Sequence, residues 1–305
     1  MRRFICLYAA LFVGGVLAPS GWAEPKLHVA ATLSTFADLI GTIGGDHVDV
    51  SAVASPKFNP HFIEPKPSDI LKLKKADLFV HAGLDLEAWR GPLVDAAGVP
   101  SFRSGGSKQL DLSQGIPLLQ VPDHPVSRAE GDIHIFGNPH YWISPDNAKR
   151  MAKTIADKLS AVDPSHASDY NANLQDFLKR MDAKIPEWQA KMKPYVGAEL
   201  IGYHDEWPYL MGFFGLKMEN FLEPKPGIPP TPKQMEFLEQ YIKQNYVKGI
   251  VQSSYFPTKA ADSLAERTGA KVVMLVQGVG ENPEASDYIA MLDYDVNQLA
   301  QALQR

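Results

Sequence analysis

Three histidines in this chain fall where α/β proteins concentrate their chemistry. His204 directly follows Glu199–Tyr203, an apolar run that reads as a strand. His61 follows a second such run, Val48–Ala54, after the short segment Ser55-Pro56-Lys57-Phe58-Asn59-Pro60. His140 lies in Gly137-Asn138-Pro139-His140, just ahead of a helix start near Pro145-Asp146-Asn147. In open α/β sheets ligands collect beyond the carboxyl ends of the strands, which is where a site would be built from these residues. Two of the histidines belong to the first half of the chain and one to the second, an arrangement suited to a ligand held in a cleft between two lobes. Neutral imidazoles unaccompanied by cysteine suit a borderline divalent cation such as zinc, and also serve manganese, iron or copper. Taken singly, each reads equally well as a surface or hydrogen-bonded histidine, so the argument rests on the set.

The elements that must position them follow from periodicity. Strands are predicted at Leu27–Ala31, Val48–Ala54, Leu78–His81, Glu199–Tyr203, Lys217–Phe221, Gly249–Ser253 and Lys271–Val276, alternating with helical patterns as in α/β folds with parallel sheets. From Ala167 to Lys193, Tyr170, Leu174, Phe177, Leu178, Met181, Ile185, Trp188 and Met192 recur at spacings of three and four, one face of a long helix that Pro186 should kink. The expected architecture is two lobes, residues 24–165 and 194–305, each with a parallel sheet flanked by helices and joined by a linking helix over 166–193. Residues 108–138 are the least regular and read as a mobile surface loop. No internal repeat is evident.

Residues 1–23 read as a cleavable signal peptide, with Arg2 and Arg3, the apolar run Phe4–Ala18 and small residues at Gly21 and Ala23. The sole cysteine, Cys6, lies inside it, leaving a mature chain without disulfides or thiolate ligands, and a bacterial periplasm fits this combination best. The 305 residues are 45% hydrophobic and 21% charged, enough to bury a core. The formal charge of −5 argues against nucleic acid as a partner.

Asn59-Pro60-His61-Phe62-Ile63-Glu64-Pro65-Lys66-Pro67-Ser68-Asp69, Asn138-Pro139-His140-Tyr141-Trp142-Ile143-Ser144-Pro145 and Tyr203-His204-Asp205-Glu206-Trp207 together resemble the three histidine motifs of the zinc/manganese-type solute-binding proteins of bacterial ABC transporters, in the same order across nearly the whole mature chain. Gly83 to Trp89 and Glu223-Pro224 are supporting matches. The resemblance implies two lobes on a rigid helix, a divalent metal as cargo between them, delivery to an inner-membrane permease, small loop movements in place of a wide hinge, and no enzymatic activity.

One departure stands out against that family. Its members carry an acidic fourth ligand after the last core strand, whereas this chain reads Val276-Gln277-Gly278-Val279-Gly280. As a fourth ligand Gln277 offers a neutral carbonyl oxygen and leaves the divalent charge uncompensated, so the expectation is a weaker or different metal preference, or recruitment of Glu64, Asp205, Glu206 or a water. Glu64 reads equally well as a group that orients His61, and Asp205 and Glu206 as acids at a helix N-terminus. His124, Asp132 and His134 stand where zinc-binding members of that family often carry a His-rich acidic stretch, and they read as a plain solvated loop in preference to a capture loop. His81 reads as a hydrogen-bonded interior histidine, and Trp142 and Trp207 as core in preference to groups that exclude water from the site. Two other readings accompany the receptor: a metallophore receptor, with Gln277 making room for a chelate, and a zinc hydrolase, against which stands the absence of any HExxH or nucleophile-elbow motif.

Overall fold

The computed structural model describes residues 25–126, 131 and 134–304, so the segment read as a signal peptide lies outside the described residues. The elements run β1 (Leu27–Ala31), α1 (Ser34–Gly44), β2 (Val48–Ala52), α2 (Pro67–Lys75), β3 (Leu78–His81), α3 (Arg90–Ala97), β4 (Gln109–Asp111), α4 (Pro145–Val162), α5 (Ala167–Met192), β5 (Glu199–Gly202), α6 (Pro208–Phe214), β6 (Lys217–Phe221), α7 (Pro232–Asn245), β7 (Gly249–Ser253), α8 (Lys259–Thr268), β8 (Lys271–Leu275) and α9 (Tyr288–Leu303).

The strands form two four-stranded sheets, ordered β2-β1-β3-β4 and β6-β5-β7-β8, with every pairing parallel. The strand order repeats between the two halves although the sequence shows no repeat, because topology depends on the spacing of apolar runs and not on residue identity. β3 and β7 are buried along their whole length, as strands covered by helices on both faces must be. In each sheet the first strand lies between the second and third, so the crevice where the order reverses opens at the carboxyl ends.

α5 has 26 residues and spans roughly 39 Å at 1.5 Å per residue. Its buried face is Tyr170, Leu174, Phe177, Met181, Trp188 and Met192, drawn from the periodic set, and it runs unbroken from Ala167 to Met192 with Pro186 inside it. It ties the halves together: Asn173 Nδ2 donates to Ile43 O of α1 at 3.0 Å, and Trp188 Nε1 donates to Asp293 Oδ1 of α9 at 2.8 Å. One apolar core runs continuously from Val29 to Leu303 through both sheets, and a second cluster around Ile201, Leu238, Ile250 and Leu264 lies under α7 and α8. Among the described residues no helix is long and apolar enough to cross a membrane.

The stretch read as irregular holds one element after all. β4 pairs with β3 through Phe79–Gln109, Val80–Leu110 and His81–Asp111, and Leu110, Leu112 and Ile116 are buried. A three-residue strand is too short to show a period, which is why the sequence conceals it.

Candidate metal site

Asn-Pro-His occurs twice, and both copies fold alike. The Asn59 side-chain oxygen accepts the backbone N–H of His61 at 2.9 Å, and that of Asn138 accepts the backbone N–H of His140 at 3.0 Å. An Asx turn followed by a φ-restricted proline fixes where each imidazole leaves the chain. The first turn is anchored further by Trp89 Nε1, which donates to Pro60 O at 2.8 Å. The repeated tripeptide was the available sequence signal that these two histidines are a matched pair. His204 emerges from the carboxyl end of β5, just ahead of α6.

The three histidines meet. One ring nitrogen from each of His61, His140 and His204 lies within 4.8 Å of the other two, and all three side chains are buried. Ring centroids are 5.1 Å apart for His61 and His140, 5.6 Å for His61 and His204, and 5.7 Å for His140 and His204. Four imidazoles set tetrahedrally on zinc at 2.0–2.1 Å would have centroids roughly 5 Å apart, so the three rings already stand near the spacing of a shared ion.

The outer nitrogens of two rings are held. His204 Nδ1 lies 2.7 Å from Glu223 Oε2, and His140 Nδ1 lies 3.0 Å from the Asn138 side-chain oxygen. Both partners act as acceptors, which selects the Nδ1–H tautomer and leaves each Nε2 with a free lone pair. The His140 Nε2 lone pair faces His61 Nε2 at 3.0 Å, so the proton between those rings sits on His61 Nε2, and the neutral ring frees that nitrogen for a metal by shifting the proton to Nδ1.

Burial, joined by the neighbouring imidazoles, pushes His61 and His140 well below the ordinary histidine range, so both stay neutral. His204 goes the other way. Burial opposes its charge, but the Glu223 hydrogen bond and the charges of Glu206, Glu223 and Asp205 outweigh it and raise its pKa.

The acidic candidates divide. Glu64 is exposed and lines a separate surface pocket with Lys66, Asp69 and Lys72. Asp205 borders the histidine cavity, where Oδ2 accepts from Gln120 Nε2 at 2.8 Å. Glu206 is fully buried behind it, accepting from Ser253 Oγ at 2.9 Å and from Tyr255 OH, and desolvation raises its pKa to about 7. Gln277 Nε2 donates to the same two hydroxyl oxygens, at 3.3 and 3.1 Å, while Gln277 Oε1 is buried without a partner. Those hydroxyls spend their protons on Glu206 and so need a donor from residue 277, which an aspartate could not supply. The glutamine thus fits a site whose buried carboxylate sits at Glu206.

Trp142 and Trp207 are core residues, as read, and Trp142 Nε1 also donates to Gln277 O at 3.0 Å. His81 is interior and bonded to Gln109 Oε1 at 2.6 Å. His134 is not a solvated loop residue: its side chain is 11% exposed and its ring lies 5.0 Å from that of His61. It lines the cavity that His140 and His204 also line, a tertiary contact without local signature.

The description of the family whose model matches residues 29–302 is "Zinc-uptake complex component A periplasmic". The chain belongs to that family. It is 28% identical to the iron-binding protein YfeA of Yersinia pestis over 310 residues, 97% of this chain and 93% of the relative. It is 27% identical to the high-affinity zinc uptake system protein ZnuA of Bacillus subtilis, over 91% of this chain and 88% of the relative, and 25% identical to a manganese ABC transporter substrate-binding lipoprotein, PsaA, of Streptococcus anginosus, over 92% and 90%. Among solved structures it resembles a crystal structure of ZnuA, with a TM-score of 0.78, 27% identity, and coverage of 92% of this chain and all of that one. The names of these relatives are those of a metal-binding protein, a metal-uptake component and a substrate-binding lipoprotein, and none is the name of an enzyme.

Proposed function

We propose that this chain is the periplasmic solute-binding component of an ABC transporter, which captures a divalent transition metal ion in the cleft between its lobes and delivers it to an inner-membrane permease. The observation that carries the reading is the convergence of the three buried imidazoles within 4.8 Å, with the outer nitrogens of two already held. The relatives' names support the transporter role and span zinc, manganese and iron. His61, His140 and His204 hold the ion, Glu206 and Asp205 supply negative charge beside it, and Gln277 completes the polar network behind it.

Zinc is the first choice of cargo, because an all-nitrogen donor set suits it better than manganese, which prefers oxygen, and iron follows. The three nitrogens lie within 4.8 Å of one another, and those of His61 and His140 are in contact at 3.0 Å. A chelate such as a metallophore would have to push the rings apart, so the bare ion is the favoured form. The continuous core and α5 restrain the lobes, so capture and release proceed by movement of the histidine loops, with the permease separating them or lending protons.

Titration of the purified protein with Zn2+, Mn2+ and Fe2+ against a chromophoric chelator tests this. One equivalent of zinc bound by the wild-type chain and lost in His140→Ala is the expected result. Undiminished binding in that variant would contradict the site.

A further inference from the structure

His134 combines a buried ring nitrogen without a partner and a position against the site. Its Nε2 is buried and makes no hydrogen bond. A buried polar atom left in that state costs free energy and calls for an explanation. Its Nδ1 lies 2.7 Å from Asp85 Oδ1, the same carboxylate-to-imidazole pairing that Glu223 makes with His204. That pairing directs the Nδ1 proton to the carboxylate and leaves Nε2 with a lone pair. His134 lines the same cavity as His140 and His204, together with Gln120, Asn138 and Asp205.

The ring spacing agrees. The centroid of His134 is 5.0 Å from that of His61 and 6.4 Å from that of His140, against roughly 5 Å for two imidazoles sharing a tetrahedral zinc. The ligand nitrogens that lie within 4.8 Å of one another among the described residues are those of His61, His140 and His204, so His134 has to move inward, by about 1 Å judged from its centroid distance to His140, to join them. Asp85 makes that shift directional. It and Leu84 both hold left-handed backbone, with φ of 56° and 52°, at the turn after β3, and Asp85 Oδ2 also takes the backbone N–H of Ile135 at 3.4 Å. The loop that carries His134 is thus fastened to the first lobe through the carboxylate that orients the ring.

We propose that His134 is a fourth nitrogen ligand, carried on the loop, oriented by Asp85 and closing over the ion at the coordination position that a neutral residue 277 does not fill with a carboxylate. The inference rests on the metal-receptor reading above and deepens it. Four imidazoles make a site for zinc and other borderline ions and discriminate against manganese, and because one of the four rides on a loop it also sets the release rate.

The test is zinc X-ray absorption on the wild-type chain, His134→Ala, Asp85→Asn and His61→Ala, with zinc affinity by chelator competition and the dissociation rate by chelator chase. Four imidazole scatterers are expected in the wild type and three plus an oxygen in His134→Ala. Affinity should fall at least as far as the roughly 10–100-fold typical of losing an orienting partner, with faster release, and Asp85→Asn should fall between that variant and wild type. His134→Ala also removes the contact to Asp85, so the metal-free melting temperature is measured beside it and should fall by no more than about 2–4 °C. An unaltered imidazole count and release rate in His134→Ala, with zinc still lost in His61→Ala, would overturn the role of His134 and leave the three-histidine site standing. Zinc retained in His61→Ala would overturn the receptor reading itself.

Discussion

Exchange of Glu223 for glutamine separates the charge behind His204 from its shape. Both bonds to this side chain end on Oε2: His204 Nδ1 at 2.7 Å and the backbone N–H of Gly227 at 2.9 Å. A glutamine oxygen in that place keeps both, so only the negative charge is lost. Weakening such a partner of a metal-bound histidine costs about 10–100-fold in affinity, or about 1.4–2.8 kcal/mol. The proton supplies a second signature. His204 is raised above the ordinary histidine value, with the Glu223 bond the leading factor on that side. Below its pKa the ion must displace a proton from His204, so wild-type affinity falls about tenfold per pH unit. His61 and His140 are already neutral and add no such competition, so the slope is one proton and not three. In Glu223→Gln burial prevails, His204 drops, and the competition moves to lower pH. Measured by chelator competition from about pH 8 to about pH 5.5, the two affinity curves should converge as pH falls, the wild type steep and the variant shallow. Parallel curves, or no loss at the alkaline end, would refute the assignment of Glu223.

Gln277→Asp should destabilise the metal-free protein by about 1–3 kcal/mol at neutral pH, since it removes the donor shared by Ser253 and Tyr255 and adds a carboxylate beside Glu206. Thermal melts should show the defect shrinking as pH falls and the new carboxyl gains a proton. Glu87 is buried and raised from 4.5 to about 7, chiefly by desolvation, while its hydrogen bonds from Thr32 and Ala82 both end on Oε1. Because its folded pKa lies above its unfolded one, the penalty is absent below about pH 4.5 and complete above about pH 7. Glu87→Gln keeps both bonds and should stabilise the chain by about 2–3 kcal/mol near pH 8 and hardly at all near pH 4, read by urea denaturation. Tyr288→Phe removes the hydroxyl bonded to Trp142 O between the two halves of the chain, and should lower Tm by about 2–4 °C with zinc affinity unchanged.

The three histidines were legible because His61 and His204 come after recognisable strand runs and His140 stands just ahead of a helix start, and α5 because its apolar residues keep a helical period over 26 residues. β4 was hidden by its length. The role of Gln277 could not be read locally: it depends on Ser253, Tyr255 and Glu206, residues from 22 to 71 positions away that meet only once the second sheet forms. His134 was misread for the same reason, since an isolated loop histidine carries no mark of the Asp85 carboxylate that draws it inward. Glu64 shows the converse error. Sharing a motif with His61 implied proximity, but the chain turns at Pro60–Phe62 and leaves Glu64 on the outer surface.

The most direct test of the metal-receptor assignment is elemental analysis of the chain isolated from a periplasmic fraction without chelators or metal-affinity columns, beside its His61→Ala, His140→Ala and His204→Ala variants. Near one equivalent of a single transition metal in the wild type, zinc foremost, and its loss in each variant is the predicted result. Substoichiometric metal that persists in all three variants would contradict it.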